Sequence, residues 1–231
     1  MLLALHVHTN FSKCAESKIE DIKTFCEKHN IGAIAITDHN EIAGAVALSK
    51  IADNIKVIIG EEIKTKQGEI IGLFLKEKIE PFGSLSETIE KIKAQGALVY
   101  LPHPFDIIRP FHMRWDSIIT NIRKIDIVES FNSKMIWQFN NYQAKMFAKK
   151  FDFTEACGSD AHFVKAIGCA LMEIEDFDGS YDFLEKLRKA TIVSAINTGV
   201  TTTLWSRLKK FFRVRGRFLK RIVKMKKNKG A

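Results

Sequence analysis

Apolar residues fall in short continuous runs separated by polar stretches with helical periodicity. The runs Leu2–His6, Ala33–Thr37, Lys56–Ile63, Ile70–Leu75, Ala97–Leu101, Ile125–Phe131, Phe153–Cys157 and Thr191–Ile196 are candidate strands. Most are unbroken rather than alternating, as expected of parallel strands buried on both faces. Between them, the pattern predicts helices near 17–30, 41–53, 84–95, 114–123, 135–151 and 180–189. Ser17-Lys18-Ile19-Glu20 and Ser84-Leu85-Ser86-Glu87 each fit a capping box at a helix start. The stretch Lys56–Leu75 carries a turn signal near Lys66-Gln67-Gly68 and fits a hairpin. Repeated strand–helix units over about 200 residues predict a β/α barrel.

Composition narrows the class. With 46% hydrophobic residues in 231, the chain can build a full core, which excludes a disordered protein. No apolar run is long enough to span a bilayer. The start, MLLALHVHTN, lacks the basic opening of a secretory signal and suits a buried first strand. Cys14, Cys26, Cys157 and Cys169 show no paired spacing, so a reduced, cytoplasmic protein is expected.

Charge is unevenly distributed. The net charge is +9, yet twelve Lys or Arg and no Asp or Glu lie beyond Trp205. Without those twelve, 24 basic side chains face 27 acidic ones. An acidic body with a basic appendix differs from a globally basic nucleic-acid-binding domain. The division expected is a barrel over 1–200 and a basic amphipathic tail over 201–231. In the tail, Leu204, Leu208, Phe211, Phe212, Leu219, Ile222 and Val223 fall at roughly helical spacing, with Gly216 as a break. Such a helix can lie on an anionic membrane, grip nucleic acid, or pack on the barrel.

The polar residues give the map its chemistry. His6 and His8 end the first run, and Asp38 and His39 follow the second. Glu61 and Glu62 lie in the third, and His103 follows Ala97–Leu101. Glu129 and Asn132 close Ile125–Phe131, and Asp160 and His162 follow Phe153–Cys157. Barrel enzymes assemble their sites at the C-terminal ends of strands. Several imidazoles and carboxylates delivered there suit Zn²⁺, Mn²⁺ or Fe²⁺. Strand alternation lets His6 and His8 face one ion.

The ordered motifs His6-Val7-His8-Thr9 with Ser12, Thr37-Asp38-His39-Asn40, Gly60-Glu61-Glu62, Pro102-His103-Pro104-Phe105 and Gly158-Ser159-Asp160-Ala161-His162 resemble the PHP (polymerase and histidinol phosphatase) superfamily. The resemblance covers roughly residues 3–196. It implies a distorted seven-stranded β/α barrel of the TIM type and two or three divalent metal ions. It also implies hydrolysis of phosphate esters, or of nucleic acid in some branches. By resemblance, His6, His8, Glu62 and Asp160 hold one ion, and Glu62 bridges to a second served by His103. His39 and His162 serve a third. Where the family often has Asp or His, this chain has Lys13 and Cys14, and Cys14 is the alternative ligand. Glu69 stands where a His is common, and Ala4 where an Asp is usual.

Arg109, six residues past His103, is a candidate phosphate clamp because guanidinium pairs bidentately with phosphate. Asp160, His162 and Arg109 form the expected catalytic set, with a histidine or water as general acid. Asn132 is a weaker candidate for orienting substrate. His29 fits a helix C-terminus, and His112 has no assigned role. The leading expectation is hydrolysis of a small phosphomonoester or nucleotide by metal-activated hydroxide. An exoribonuclease for short RNA, a regulatory barrel with decayed metal sites, and an amidohydrolase-type barrel are the alternatives.

Overall fold

The computed structural model describes residues 1–109 and 111–199. The basic tail, with its expected helical extension, lies outside the described residues.

Nine strands form one sheet: β1 (Leu2–Val7), β2 (Ile31–Ile36), β3 (Lys56–Thr65), β4 (Gly68–Leu73), β5 (Leu98–Leu101), β6 (Ile127–Asn132), β7 (Thr154–Gly158), β8 (Ala170–Glu173) and β9 (Thr191–Ala195). Their order is β7-β6-β5-β4-β3-β2-β1-β8-β9. The helices are α1 (Ile19–Lys28), α2 (Ala43–Ser49), α3 (Leu85–Ala94), α4 (Trp115–Thr120), α5 (Gln138–Lys150) and α6 (Gly179–Leu187). The first five lie within the stretches predicted to be helical, and α6 begins one residue ahead of its stretch. The count of nine strands among the described residues differs from the seven that the resemblance implies.

The sheet curls into a nearly closed barrel. The backbone just past β7 returns to β1: Ser159 N donates to Leu5 O at 3.1 Å, and Ala161 N to His6 O at 3.3 Å. His8 N donates to Ala161 O at 2.9 Å in the same seam. Parallel pairing joins β1 to β2, β2 to β3, β5 to β6 and β6 to β7. The expected hairpin is present, and β4 runs antiparallel to both β3 and β5. The short strand β8, absent from the sequence reading, pairs antiparallel with β1 and carries β9.

Alternation along the strands divides the core. Leu3, Leu5, Ala33, Ala35, Ile58 and Tyr100 share the barrel interior, joined by Phe183 and Leu187 of α6. Ala4, Val7, Ile34 and Ile36 pack outward against Ile22, Cys26, Ala45 and Leu48 of α1 and α2. A further outer layer sets Ile63, Val99 and Val128 against Ile89, Ile92 and Phe147. Burial of this apolar surface, at roughly 25 cal/mol per Å², is the main force holding the helices on the sheet.

The helix starts split. Ser84 caps α3 with a complete capping box, accepting from Glu87 N at 3.3 Å while Glu87 Oε2 accepts from Ser84 N at 3.0 Å. At α1 the expected box does not form. Lys18 is the N-cap residue, without a side-chain cap, and Ser17 is buried with its Oγ unpartnered. The reason is tertiary. Ser17 O accepts from Asn10 N at 2.8 Å, and Glu16 N donates to His162 O at 2.9 Å, so the Ser17 segment belongs to the site loop.

Candidate metal centre

Alternation places three carboxylates inside the barrel. Ile58 faces the interior, so Gly60 and Glu62 follow it inward while Glu61 faces out. Ile71 and Leu73 bring Glu69 to the same side, and Ile127 brings Glu129. His6 breaks the rule. Leu5 points inward, and strict alternation would send His6 out and Val7 in. His6 instead has a left-handed backbone, φ 58°, and the register with β2 shifts between Ala4 and Val7. This bulge turns Val7 into the outer layer and puts both His6 and His8 in the site. The two imidazoles therefore converge through a broken strand rather than through regular alternation. Their ring centroids are 5.2 Å apart.

Glu62 is the hub. Its Oε1 lies 3.0 Å from His103 Nε2 and 3.5 Å from His6 Nε2. Its Oε2 lies 2.9 Å from His39 Nδ1 and 3.4 Å from His8 Nε2. Glu69 Oε1 is 3.8 Å from His39 Nδ1. On the far side, Asp160 Oδ1 lies 3.4 Å from His8 Nε2, 3.9 Å from His6 Nε2 and 3.4 Å from His162 Nδ1. Ligand-type atoms thus gather in four overlapping groups: His6, His8 and Asp160; His6, Glu62 and His103; His8, His39 and His162; and His39, Glu62 and Glu69.

Two cations join the cluster. Arg109 binds Asp160 Oδ2 through Nη2 and Asp106 Oδ2 through Nε at 2.9 Å. Lys134 Nζ lies 3.1 Å from Asp160 Oδ1 and 3.3 Å from His162 Nδ1. No motif marks Lys134 in the sequence. It follows β6 as an ordinary Ser-Lys pair, and only the fold brings it to the site.

A second layer orients the first. Glu129 Oε1 accepts from His6 Nδ1 at 2.8 Å and from the Tyr100 hydroxyl at 2.9 Å. Its Oε2 accepts from His103 N at 2.7 Å and Asn132 Nδ2 at 2.9 Å. With Nδ1 so engaged, His6 offers Nε2 to the centre, the arrangement by which carboxylates fix ligating imidazoles. Asp38 works below the loop after β1. It accepts from Thr9 N at 2.7 Å, Thr9 Oγ1 at 2.6 Å and Ser12 Oγ at 2.6 Å, and Ser12 Oγ accepts from His39 N at 3.0 Å. Gly44 leaves room for this knot: a Cβ there would stand 2.3 Å from Asp38 Oδ2.

Charge divides the histidines. Burial opposes protonation of His39, yet Glu62 and Cys14 raise its pKa to about 10. Burial lowers His8 to about 4, against the pull of Asp160. Burial, with Lys134 beside it, also holds His162 well below its usual range. Although burial opposes ionisation of Asp160, Arg109 and Lys134 keep it a carboxylate.

Not every expected residue reaches the cluster. Cys14 is exposed beside His39 and is absent from the four groups. Asn132 is fully buried, and its Nδ2 donates to Glu129 Oε2 at 2.9 Å and lies 3.5 Å from Asp160 Oδ2. Glu61 points outward and accepts from Ile79 N at 2.9 Å. His29 caps the end of α1, as expected.

The site passes a direct test of fit to metal. His6 Nε2 and His8 Nε2 are buried and lack a hydrogen-bond partner. Leaving a buried polar group unpaired costs about 1–3 kcal/mol. Two such nitrogens, turned to the same carboxylates Glu62 and Asp160, match a divalent cation.

A nearly closed α/β barrel with five histidines and two further carboxylates gathered around Glu62 defines the class: a barrel whose interior side chains cluster as metal ligands do. The chain belongs to the PHP superfamily. The PHP domain model matches residues 4–109, and a PHP-associated model matches 138–192. The uncharacterized protein MJ0417 of Methanocaldococcus jannaschii is 38% identical over 181 residues, covering 77% of this chain and 72% of that protein. In fold, the chain is similar to a two-domain protein of Bacteroides vulgatus containing a predicted PHP-like metal-dependent phosphoesterase. The TM-score is 0.68 at 16% identity, over 84% of this chain and 65% of that one. It is also similar to PsfC of Pseudomonas syringae, with a TM-score of 0.65 at 13% identity over 90% of this chain and 96% of that one. No helix among the described residues is long and apolar enough to cross a membrane.

Proposed function

We propose that this chain is a metal-dependent phosphoester hydrolase acting on a small phosphomonoester or nucleotide. The observation that carries the reading is the convergence of His6, His8, His39 and His103 on Glu62, with His6 Nε2 and His8 Nε2 buried and unpartnered, beside two cations, Arg109 and Lys134. His6, His8, Glu62 and Asp160 would hold one ion, Glu62 and His103 a second, and His39 with His162 and Glu69 a third. Mn²⁺, Zn²⁺ or Fe²⁺ suits these donors. Such ions supply Lewis acidity, acidifying water and drawing charge from phosphoryl oxygens.

The chain's own residues do the rest. Arg109, bonded through Nε to Asp106 and through Nη2 to Asp160, and Lys134 beside it would set positive charge against a phosphate. Glu129 locks His6, so the first site is held before substrate arrives. His162 is better suited to ligation than to proton donation, because burial and Lys134 keep its imidazole neutral. We read β1–β7 as the family's seven-stranded barrel, with β8 and β9 added beyond β1.

Elemental analysis of the purified protein, with Mn²⁺-supplemented assays on phosphomonoesters, 3′,5′-bisphosphonucleotides and short RNAs, tests this. Bound metal and turnover of a phosphomonoester is the expected result. Bound metal with no turnover on the whole panel would move the assignment to a regulatory barrel. Turnover of RNA alone would make it a nuclease.

A further inference from the structure

The last described residues lie beside the metal centre. After β9, Asn197 Nδ2 donates to Met135 O at 2.6 Å, and Thr198 N donates to Ser133 O at 2.6 Å. These bonds bracket Lys134, whose Nζ meets Asp160 and His162. The 32 residues that follow Gly199 therefore start at the rim of the site. They carry twelve Lys or Arg, no acidic residue beyond Trp205, and apolar residues at helical spacing.

The same rim is apolar. Ile107, Ile108 and Phe111 lie on the loop that delivers Arg109. Trp137, Phe139 and Tyr142 follow Lys134 into α5. All six are between 43% and 69% exposed. Phe139 and Tyr142 stack with ring centroids 6.4 Å apart. Large apolar side chains clustered on the loops that carry a polar site mark an interaction surface.

We propose that this rim is a membrane-docking face, which seats the barrel on an anionic lipid surface with the metal centre turned toward the bilayer. Two features select lipid over nucleic acid. Aromatic rings stack on bases, but Ile107, Ile108 and the tail's Leu, Ile and Val have no such role and suit insertion among acyl chains. The body is also slightly acidic, with 24 Lys or Arg against 27 Asp or Glu, so its net charge exerts no pull on a polyanion. An apolar surface and a polybasic segment are the two signals that stable peripheral anchoring requires. Trp and Tyr are the side chains favoured at the headgroup level.

The test uses full-length protein and vesicles of phosphatidylcholine, with or without phosphatidylglycerol, and is independent of hydrolysis. Co-sedimentation should favour the anionic vesicles by at least about tenfold and weaken with salt. Phe139→Ser with Tyr142→Ser leaves the charge unchanged and should weaken binding about tenfold. Lys209→Glu, Lys210→Glu and Arg213→Glu together should abolish the anionic preference. In a Trp205→Phe background, brominated lipid should quench fluorescence, and the further change Trp137→Phe should remove most of that quenching. Full binding by the Phe139/Tyr142 variant would overturn the docking face. So would absent quenching of Trp137, or binding of a labelled single-stranded RNA with no binding to vesicles.

Discussion

Left-handed backbone occurs at both ends of this barrel and serves different purposes. Away from the site, Asn30, Gly96 and Asp152 have φ of 54°, 71° and 55°. Each lies two residues past the end of a helix, α1, α3 and α5 respectively. There the reversal satisfies helix carbonyls: Gly96 N donates to Lys93 O at 2.9 Å, and Phe153 N to Ala148 O at 2.9 Å. Gly, Asn and Asp adopt this conformation cheaply. At the site, His6, Asn40, His103 and Asp160 have φ of 58°, 54°, 30° and 47°. Three of these four are proposed ligands, and two are histidines with no local stake in such a turn. Residues held there cost on the order of 1–3 kcal/mol each and persist where their surroundings enforce them. The helix ends use the conformation to finish local structure, whereas the site spends stability on aim.

The comparison can be broken most severely at Asp160. Asp160→Ala should remove divalent metal and lower phosphatase activity by at least about a hundredfold, the upper end for loss of an outer partner. Circular dichroism should show a folded protein. Full turnover would sink the first-site assignment. Glu129→Gln comes next. It loosens His6 without removing a ligand and should weaken metal affinity about 10–100-fold, read by competition with a chelator.

Glu61 sharpens the contrast between neighbours. Its outward carboxyl has a pKa raised to about 7, mainly by burial, partly offset by its bond from Ile79 and by Lys78. The folded protein thus holds this proton more tightly than the unfolded chain. The stability it contributes is present below about pH 4.5 and is lost as pH rises through about 7. Glu61→Gln keeps an acceptor for Ile79 and should raise Tm by a few degrees, about 2–4 °C per kcal/mol, at pH 8 but not at pH 4. An equal shift at both values would remove titration as the cause.

The smallest effects belong to the helix ends. Gly96→Ala meets no atom within 4 Å, so only its φ opposes the change. It should cost about 1–2 kcal/mol in thermal or denaturant unfolding. Asn30→Gly should change stability by less than about 1 kcal/mol and leave metal binding untouched. A loss of metal in either variant would show that the two sets of turns are not independent.

Much of the fold was legible because buried strands and amphipathic helices carry their own period. The site residues were legible as His, Asp and Glu recurring at the ends of successive strand-like runs, but only the fold shows that Glu62 and Glu129 point inward and Glu61 outward. What escaped was set by distant contacts. β8 is four residues long and joined to a 3-10 turn, too short for a period to register. The Ser17 box matches in letters, but hydrogen bonds from the site loop claim the segment first. Lys134 has no local signature, and its role exists only because β6 and β7 set it against Asp160. The bulge at His6 hid a reversal of face, since the HxH spacing suggests convergence whether the strand is regular or broken.

The seam between β1 and the backbone past β7 also orders events in time. Leu5 and His6 bond to residues more than 150 positions later in the chain. During synthesis at about 5–20 residues per second, His6 and His8 emerge many seconds before Asp160 exists. Any chain ending short of that residue lacks both the last proposed ligand and the bonds that close the wall. The complete centre can therefore assemble only once nearly the whole barrel has been made, and a half-made chain offers metal only a fragment of it.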